Sequence, residues 1–302
     1  MRRLAIALAV MLLPLARPAV AQPVRVASKV STEPVLLGEL VTQFIVARGG
    51  TAEHRRQLGG TQIVFEALVH GDVDLYVDYT GTLREQIFAG QAKTVEDLER
   101  MLAARGLRMS RPLGFHNTYE IAIRRAVAES LGLRRISDLA AQPSVRLGLS
   151  AEFMERKDGW PGLKERYGLP QSPAGLDHDL AYRGLAAGDF DGTDAYSTDA
   201  EVRALDLRLL EDDRHYFPDY QAVIVYRAEL PARAPSVAAL LSLLPGRIDE
   251  EAMRTMNARA RIDRVPEAEV AAKRCCRKRP PVSLSSRLSN WLTQKPARLP
   301  PP

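Results

Sequence analysis

The stretch Asp74-Leu-Tyr-Val-Asp-Tyr-Thr-Gly-Thr82 constrains this chain most. Leu75 and Val77 alternate with polar or amphipathic neighbours, the two-residue period of a short strand. Gly81 ends that strand, and Thr80 or Thr82 can cap the helix suggested by Leu83 to Phe88. Tyr79 and Thr82 therefore stand at the carboxyl end of a strand, where open α/β sheets gather their ligands. Taken alone, a tyrosine in that place is most simply a packing residue.

The same design recurs around it. Val24 to Ala27 reads as a first strand, and Ser31 or Thr32 caps a helix with Pro34 in its first turn. Leu36, Leu37, Leu40, Val41, Phe44 and Ile45 follow at helical spacing. Gly59-Gly60-Thr61 opens a second helix, closed by Gly71-Asp72, and the Asp74 strand comes next. This βαβαβ order predicts a mainly parallel sheet. A strand leading to a capped helix offers free N–H groups to an anion or dipole, and Lys29 adds charge beside it. Further helices fit Glu85 to Gly90 and Thr94 to Arg105. From Leu113 a second series of strands and helices begins, with strands at Glu120–Arg124, Val145–Leu149, Phe190–Tyr196 and Leu207–Leu210. Gln221 to Tyr226 reads as a strand of the first unit, so residues 113–215 form a second α/β unit set into the first. The two connections, near 110–114 and 212–218, predict a hinge.

Charge is unevenly spread. The first 21 residues hold three arginines and the last 30 hold eight Lys or Arg, with no acid in either. What lies between carries 31 basic against 37 acidic residues, so the high pI is no sign of nucleic-acid binding. Arg2, Arg3, the apolar run Leu4–Leu15 and Ala19-Val20-Ala21 together have the form of a cleaved export signal. That run is shorter than the roughly 20 apolar residues a membrane span needs. No cysteine follows the expected cut at Gln22, so no lipid anchor is indicated. Cys275 and Cys276 are adjacent and lie in the basic end, where neither an ordinary disulfide nor a zinc site is expected. The body has no cysteine, which excludes cysteine catalysis there.

Seven short motifs, in order over about residues 24–272, carry a resemblance. They are Ser28-Lys29 with Thr32-Glu33, Gly59-Gly60-Thr61, the Asp74–Thr82 stretch, and Asn117-Thr118-Tyr119. Asp158-Gly-Trp-Pro-Gly-Leu163 with Tyr167-Gly-Leu169 follows, then Tyr196-Ser-Thr-Asp199, and Leu210-Glu-Asp-Asp213 with Phe217-Pro-Asp-Tyr220. The chain resembles the periplasmic substrate-binding proteins of osmoprotectant ABC importers, which handle glycine betaine, choline, carnitine and related quaternary amines. The resemblance implies a two-lobed type II binding-protein fold of class α/β, each lobe a mainly parallel sheet with flanking helices, joined by a two-segment hinge. Lobe one would comprise residues 22–112 and 216–272, and lobe two residues 113–215. Residues 1–21 would be the signal and 273–302 a basic, Pro-rich, disordered tail.

The resemblance also implies a cage of Tyr79, Tyr119, Tyr196 and Tyr220 around the ligand. A quaternary ammonium has no N–H to donate, but aromatic faces attract it through their quadrupole, at about 0.5–2 kcal/mol each. Such a cage needs no opposing buried carboxylate. Thr82 matches a position touching the ligand's other end, with Lys29 and Asn117 as further candidates. His116 stands where a second asparagine is common, and Pro34 where many relatives carry a polar residue. The expected partners are the ligand and a membrane permease with its ATPase, with no nucleic acid, no cofactor, no membrane span in the mature chain and a monomeric state. The expected place is the periplasm. A non-transporting relative, such as a sensor or a truncated receptor–permease fusion, is the alternative. An enzyme is disfavoured: there is no Gly-x-Ser-x-Gly elbow, phosphate loop or His-Glu-x-x-His helix, and His54, His70, His116, His178 and His215 lack metal spacing.

Overall fold

The structure, a computed structural model, describes residues 22–275. The expected export signal, residues 1–21, and all of the basic tail beyond Cys275 lie outside the described residues. In chain order the strands are β1 Val24–Lys29, β2 Ala52–Gly59, β3 Leu75–Tyr79, β4 Leu107–Met109 and β5 Tyr119–Arg124. Then come β6 Gly148–Ser150, β7 Ala174–Leu176, β8 Gly192–Tyr196, β9 Leu207–Leu210 and β10 Ala222–Arg227. One sheet has the order β2-β1-β3-β10-β4, a second β8-β5-β9, and β6 pairs with β7.

The sheets are mixed, not mainly parallel as the strand–helix alternation predicts. β1 is parallel to β2 and β3, but β10 runs antiparallel to both β3 and β4. In the second sheet β5 is antiparallel to both neighbours. The physical reason lies in the connections. A strand followed by a packed helix returns parallel, whereas β10 enters the first sheet from the far side, after the chain has built the second one.

Helix α1 (Thr32–Val46) begins after Ser31, whose extended backbone makes no side-chain cap, and Pro34 occupies the first turn. Leu36, Leu37, Leu40, Val41 and Ile45 are buried against the first sheet. Helix α2 (Thr61–His70) stops at Gly71, which adopts φ 84°, a left-handed cap open to glycine at little cost. The Asp74 carboxylate, fully buried, accepts the backbone N–H of Arg25 at 2.7 Å and pairs with the guanidinium groups of Arg25 and Arg233. Burial alone would raise its pKa, but these hydrogen bonds outweigh that and lower it.

The chain crosses between the two sheets in adjacent, antiparallel segments. His116 bridges to Gln221, and the Asn117 N–H donates to the Tyr220 carbonyl at 3.0 Å. A third junction is not visible in the sequence. The helix Glu250–Arg261 packs beside α1 and also reaches the second half: Arg254 Nε donates to the Ser197 carbonyl at 3.0 Å, and Arg261 pairs with Glu201 and Asp179 at 2.5 Å each. The last helix among the described residues, Glu267–Cys275, lies along α1 and carries Lys273, Arg274 and Cys275, so these first tail residues are helical.

Candidate functional site

Pairing between β5 and β8 places Tyr119 directly opposite Tyr196, on the same face of the sheet. Their hydroxyls stand 3.1 Å apart and their ring centroids 4.8 Å apart, tilted by 42°. Tyr220, from the returning crossover, meets Tyr119 edge-on at 5.8 Å and 81°. Phe153 and Phe217 complete this wall, at 4.9 and 6.1 Å from the Tyr119 centroid. Three of the four expected tyrosines thus meet, although they lie far apart in the chain. Phe153 was not singled out from the sequence, since an isolated aromatic carries no mark of its neighbours, and Phe217 stood only as part of the Phe217-Pro-Asp-Tyr220 motif. The turn Thr80–Thr82 closes against Tyr220: a Cβ built on Gly81 would fall 2.4 Å from its Cδ1, so only glycine permits this approach.

Tyr79 joins the site by another route. Its hydroxyl donates to Glu33 Oε1 at 2.6 Å, and Asn117 Nδ2 donates to the same oxygen at 2.8 Å. Thr198 Oγ1 and Asn257 Nδ2 each donate to Glu33 Oε2 at 2.6 Å. The site therefore includes a buried carboxylate, which the cage reading did not anticipate. Its four donors are all uncharged. Burial pushes the Glu33 pKa up, against the pull of Thr198, Tyr79 and Asn257. Lys29 does not supply a free positive charge here, because its Nζ pairs with buried Asp78 at 2.6 Å, standing 5.5 Å from the Tyr79 ring centroid. Thr82 is buried in the turn after Tyr79. His116 is half-buried and its ring pairs with Asp219.

A second unforeseen group is Arg156, two residues before the Asp158-Gly-Trp-Pro-Gly motif. Its buried guanidinium lies 5.2 Å from the Tyr119 centroid. Nε donates to Asp158 Oδ1 at 2.9 Å and Nη2 to Oδ2, while Nη1 donates to exposed Glu152 at 3.2 Å. The Tyr220 hydroxyl also donates to Asp158, and Gln86 reaches it at 3.3 Å from the first half. Behind Tyr196 stands His178, 5.0 Å between ring centroids, with Nε2 3.1 Å from Asp199. Burial lowers the His178 pKa, but Asp194 and Asp199 outweigh it and raise it well above the usual range. All four phenols are shifted upward, first by burial, so their rings stay neutral. The result is a neutral aromatic wall flanked on one side by the buried Arg156–Asp158 pair and on another by the buried Glu33 carboxylate. Such a surface suits a small ligand with a diffuse positive charge. Among the described residues no group of three or more His, Cys, Asp or Glu could hold a metal ion, and no helix is long and apolar enough to cross a membrane.

Comparison with known proteins follows the same direction. The family described as the substrate binding domain of ABC-type glycine betaine transport systems matches residues 22–273. The glycine-betaine-binding protein of Pseudomonas aeruginosa is 32% identical over 272 residues, covering 83% of this chain and 86% of that protein. The ergothioneine transport permease/ergothioneine binding protein EgtU of Helicobacter pylori is also 32% identical, over 248 residues. That alignment covers 78% of this chain and 44% of EgtU, so the chain spans less than half of that relative. A solved glycine betaine/carnitine/choline ABC transporter structure superposes with a TM-score of 0.71 at 26% identity, covering 83% of this chain and 96% of that one. The chain belongs to the substrate-binding domains of ABC-type glycine betaine transport systems, binding proteins for quaternary ammonium compounds rather than enzymes.

Proposed function

We propose that this protein captures a zwitterionic trimethylammonium compound, of the glycine betaine type, and delivers it to an ABC permease with its ATPase. The observation that carries the reading is the meeting of Tyr119, Tyr196 and Tyr220 in one wall beside a buried guanidinium. A cation seated on a ring lies within about 6 Å of its centroid. Tyr119 and Tyr196 are already in mutual contact at 4.8 Å, so the methylated nitrogen sits in the corner they make with Tyr220, not between them. In this reading Tyr79, Thr82 and Asn117 also face the ligand, Tyr79 and Asn117 being held together by Glu33. Lys29, neutralised by Asp78, contributes a donor rather than net charge. Arg156 gives one edge to Asp158, and its Nη1 contact with exposed Glu152 is the one a ligand carboxylate would replace. The relatives named for glycine betaine, carnitine and ergothioneine support a ligand with both charges.

In this reading residues 22–112 and 216–272 form one lobe and 113–215 the other, hinged at the paired crossovers. The ligand favours the closed arrangement because only there does it touch both lobes. The exported, periplasmic location belongs to the same proposal. Calorimetry tests it: glycine betaine, carnitine or ergothioneine binds, and choline, lacking the carboxylate, binds more weakly. Tyr119→Ala and Tyr196→Ala each weaken binding more than about tenfold, the loss of one well-seated aromatic face. Heat from a neutral amino acid and none from any quaternary amine would reject the assignment.

A further inference from the structure

Glu33 is tied to four separate parts of the chain. Tyr79 comes from the end of β3, Asn117 from the crossover, Thr198 from the turn after β8, and Asn257 from the helix Glu250–Arg261. Each carboxylate oxygen accepts two hydrogen bonds, so the group is saturated and has no place for a direct bond to a ligand. Burying an anion without a cationic partner is costly. Here four donors offset that cost, and an apolar side chain would leave all four unpaired. What the carboxylate does provide is a shared anchor: one oxygen fixes Tyr79 and Asn117, and the other holds Thr198 of the second half and Asn257. Asn257 Nδ2 also donates to the Thr198 carbonyl at 3.0 Å. Its neighbours Arg254 and Arg261, on the same face of that helix, grip Ser197, Glu201 and Asp179.

We propose that Glu33 is a positioning residue for ligand capture: it holds Tyr79 and Asn117 at the site and, through Thr198 and Asn257, ties them to the closed arrangement of the two halves. The ligand part of this rests on the binding function proposed above. A contact made only in the closed arrangement slows escape of the ligand without changing its arrival, so its removal acts on dissociation.

The test uses the full mature chain, glycine betaine as probe, stopped-flow fluorescence for rates and small-angle scattering of the ligand-free protein. Glu33→Gln retains the size but turns one acceptor into a donor facing two donors. Thr198→Val retains the charge, Tyr79 and Asn117, and removes one of the two hydrogen bonds by which Glu33 holds residues 113–215. The expected result is dissociation about tenfold faster for Glu33→Gln and about threefold faster for Thr198→Val, in keeping with loss of hydrogen bonds to a charged group. Association stays within about twofold, since closely related complexes differ mainly in dissociation. The ligand-free radius of gyration rises in both variants. Unchanged dissociation in both, or an equal fall in association, overturns the proposal. If Glu33→Gln does not fold, Thr198→Val decides alone. If the wild type binds no trimethylammonium compound, the functional reading fails and scattering judges the tie: a larger radius in Thr198→Val upholds it, an unchanged one overturns it.

Discussion

A methyl group at position 81 would press into the ring of Tyr220, at 2.4 Å from Cδ1. Gly81→Ala is therefore expected to push the Thr80–Thr82 turn off the aromatic wall, destabilising the fold by about 1–3 kcal/mol as overpacking does. Ligand affinity should fall further than thermal stability explains, which calorimetry beside a melting curve would show. The tyrosines and this glycine are legible in the sequence because they sit in short motifs with fixed order. Glu33 is different. A glutamate near a helix start reads as a partner of the helix dipole, and nothing nearby says it is buried. Its partner Asn257 lies 224 positions away, so its role exists only in three dimensions. Arg156 is hidden for the same reason: its ring partner Tyr119 belongs to another element.

Among the elements, strands with apolar alternation are the legible ones. β9 falls on Leu207–Leu210 as its pattern predicts, and β3 on the Asp74 stretch. β2 has no such pattern, since Ala-Glu-His-Arg-Arg-Gln-Leu-Gly lies at a sheet edge and is largely exposed. Its position is implied by the βαβαβ order but its residues give no period. β5 carries Tyr119 toward the wall and Glu120 to the other face, where burial first, then the charges of Asp212 and Glu250, push the Glu120 carboxyl up to about 7. The sign follows from its ordinary value of 4.5. Well below that pH the group is neutral whether folded or not, and no penalty arises. Between 4.5 and about 7 the unfolded chain ionises while the folded protein keeps its proton, so stability declines across that window and levels off above it. Glu120→Gln is expected to stabilise by about 2 kcal/mol at pH 8 and by almost nothing at pH 4, read as melting temperature against pH.

At the scale of the whole molecule, the sequence announces two α/β units and two crossovers, but not the mixed sheets nor the helix that joins the halves a third time. Periodicity reports how a strand is buried, not the direction from which it enters a sheet. The Glu250–Arg261 helix makes ionic contacts with Glu201 and Asp179, so Arg261→Ala should loosen the junction. Its effect should shrink at high salt for the exposed Asp179 pair and persist for the more buried Glu201 pair. This is measurable as a salt series of melting curves. The position of β10 has a consequence for how such a chain comes into being. It lies between β3 and β4, and Arg233 just beyond it completes the setting of Asp74. During vectorial synthesis the opening third of the chain therefore waits, with two strand edges bare, for a segment made more than a hundred residues later. A fragment ending at residue 112 should stay unfolded by circular dichroism, and newly made chains should depend on a holding chaperone until the final quarter arrives.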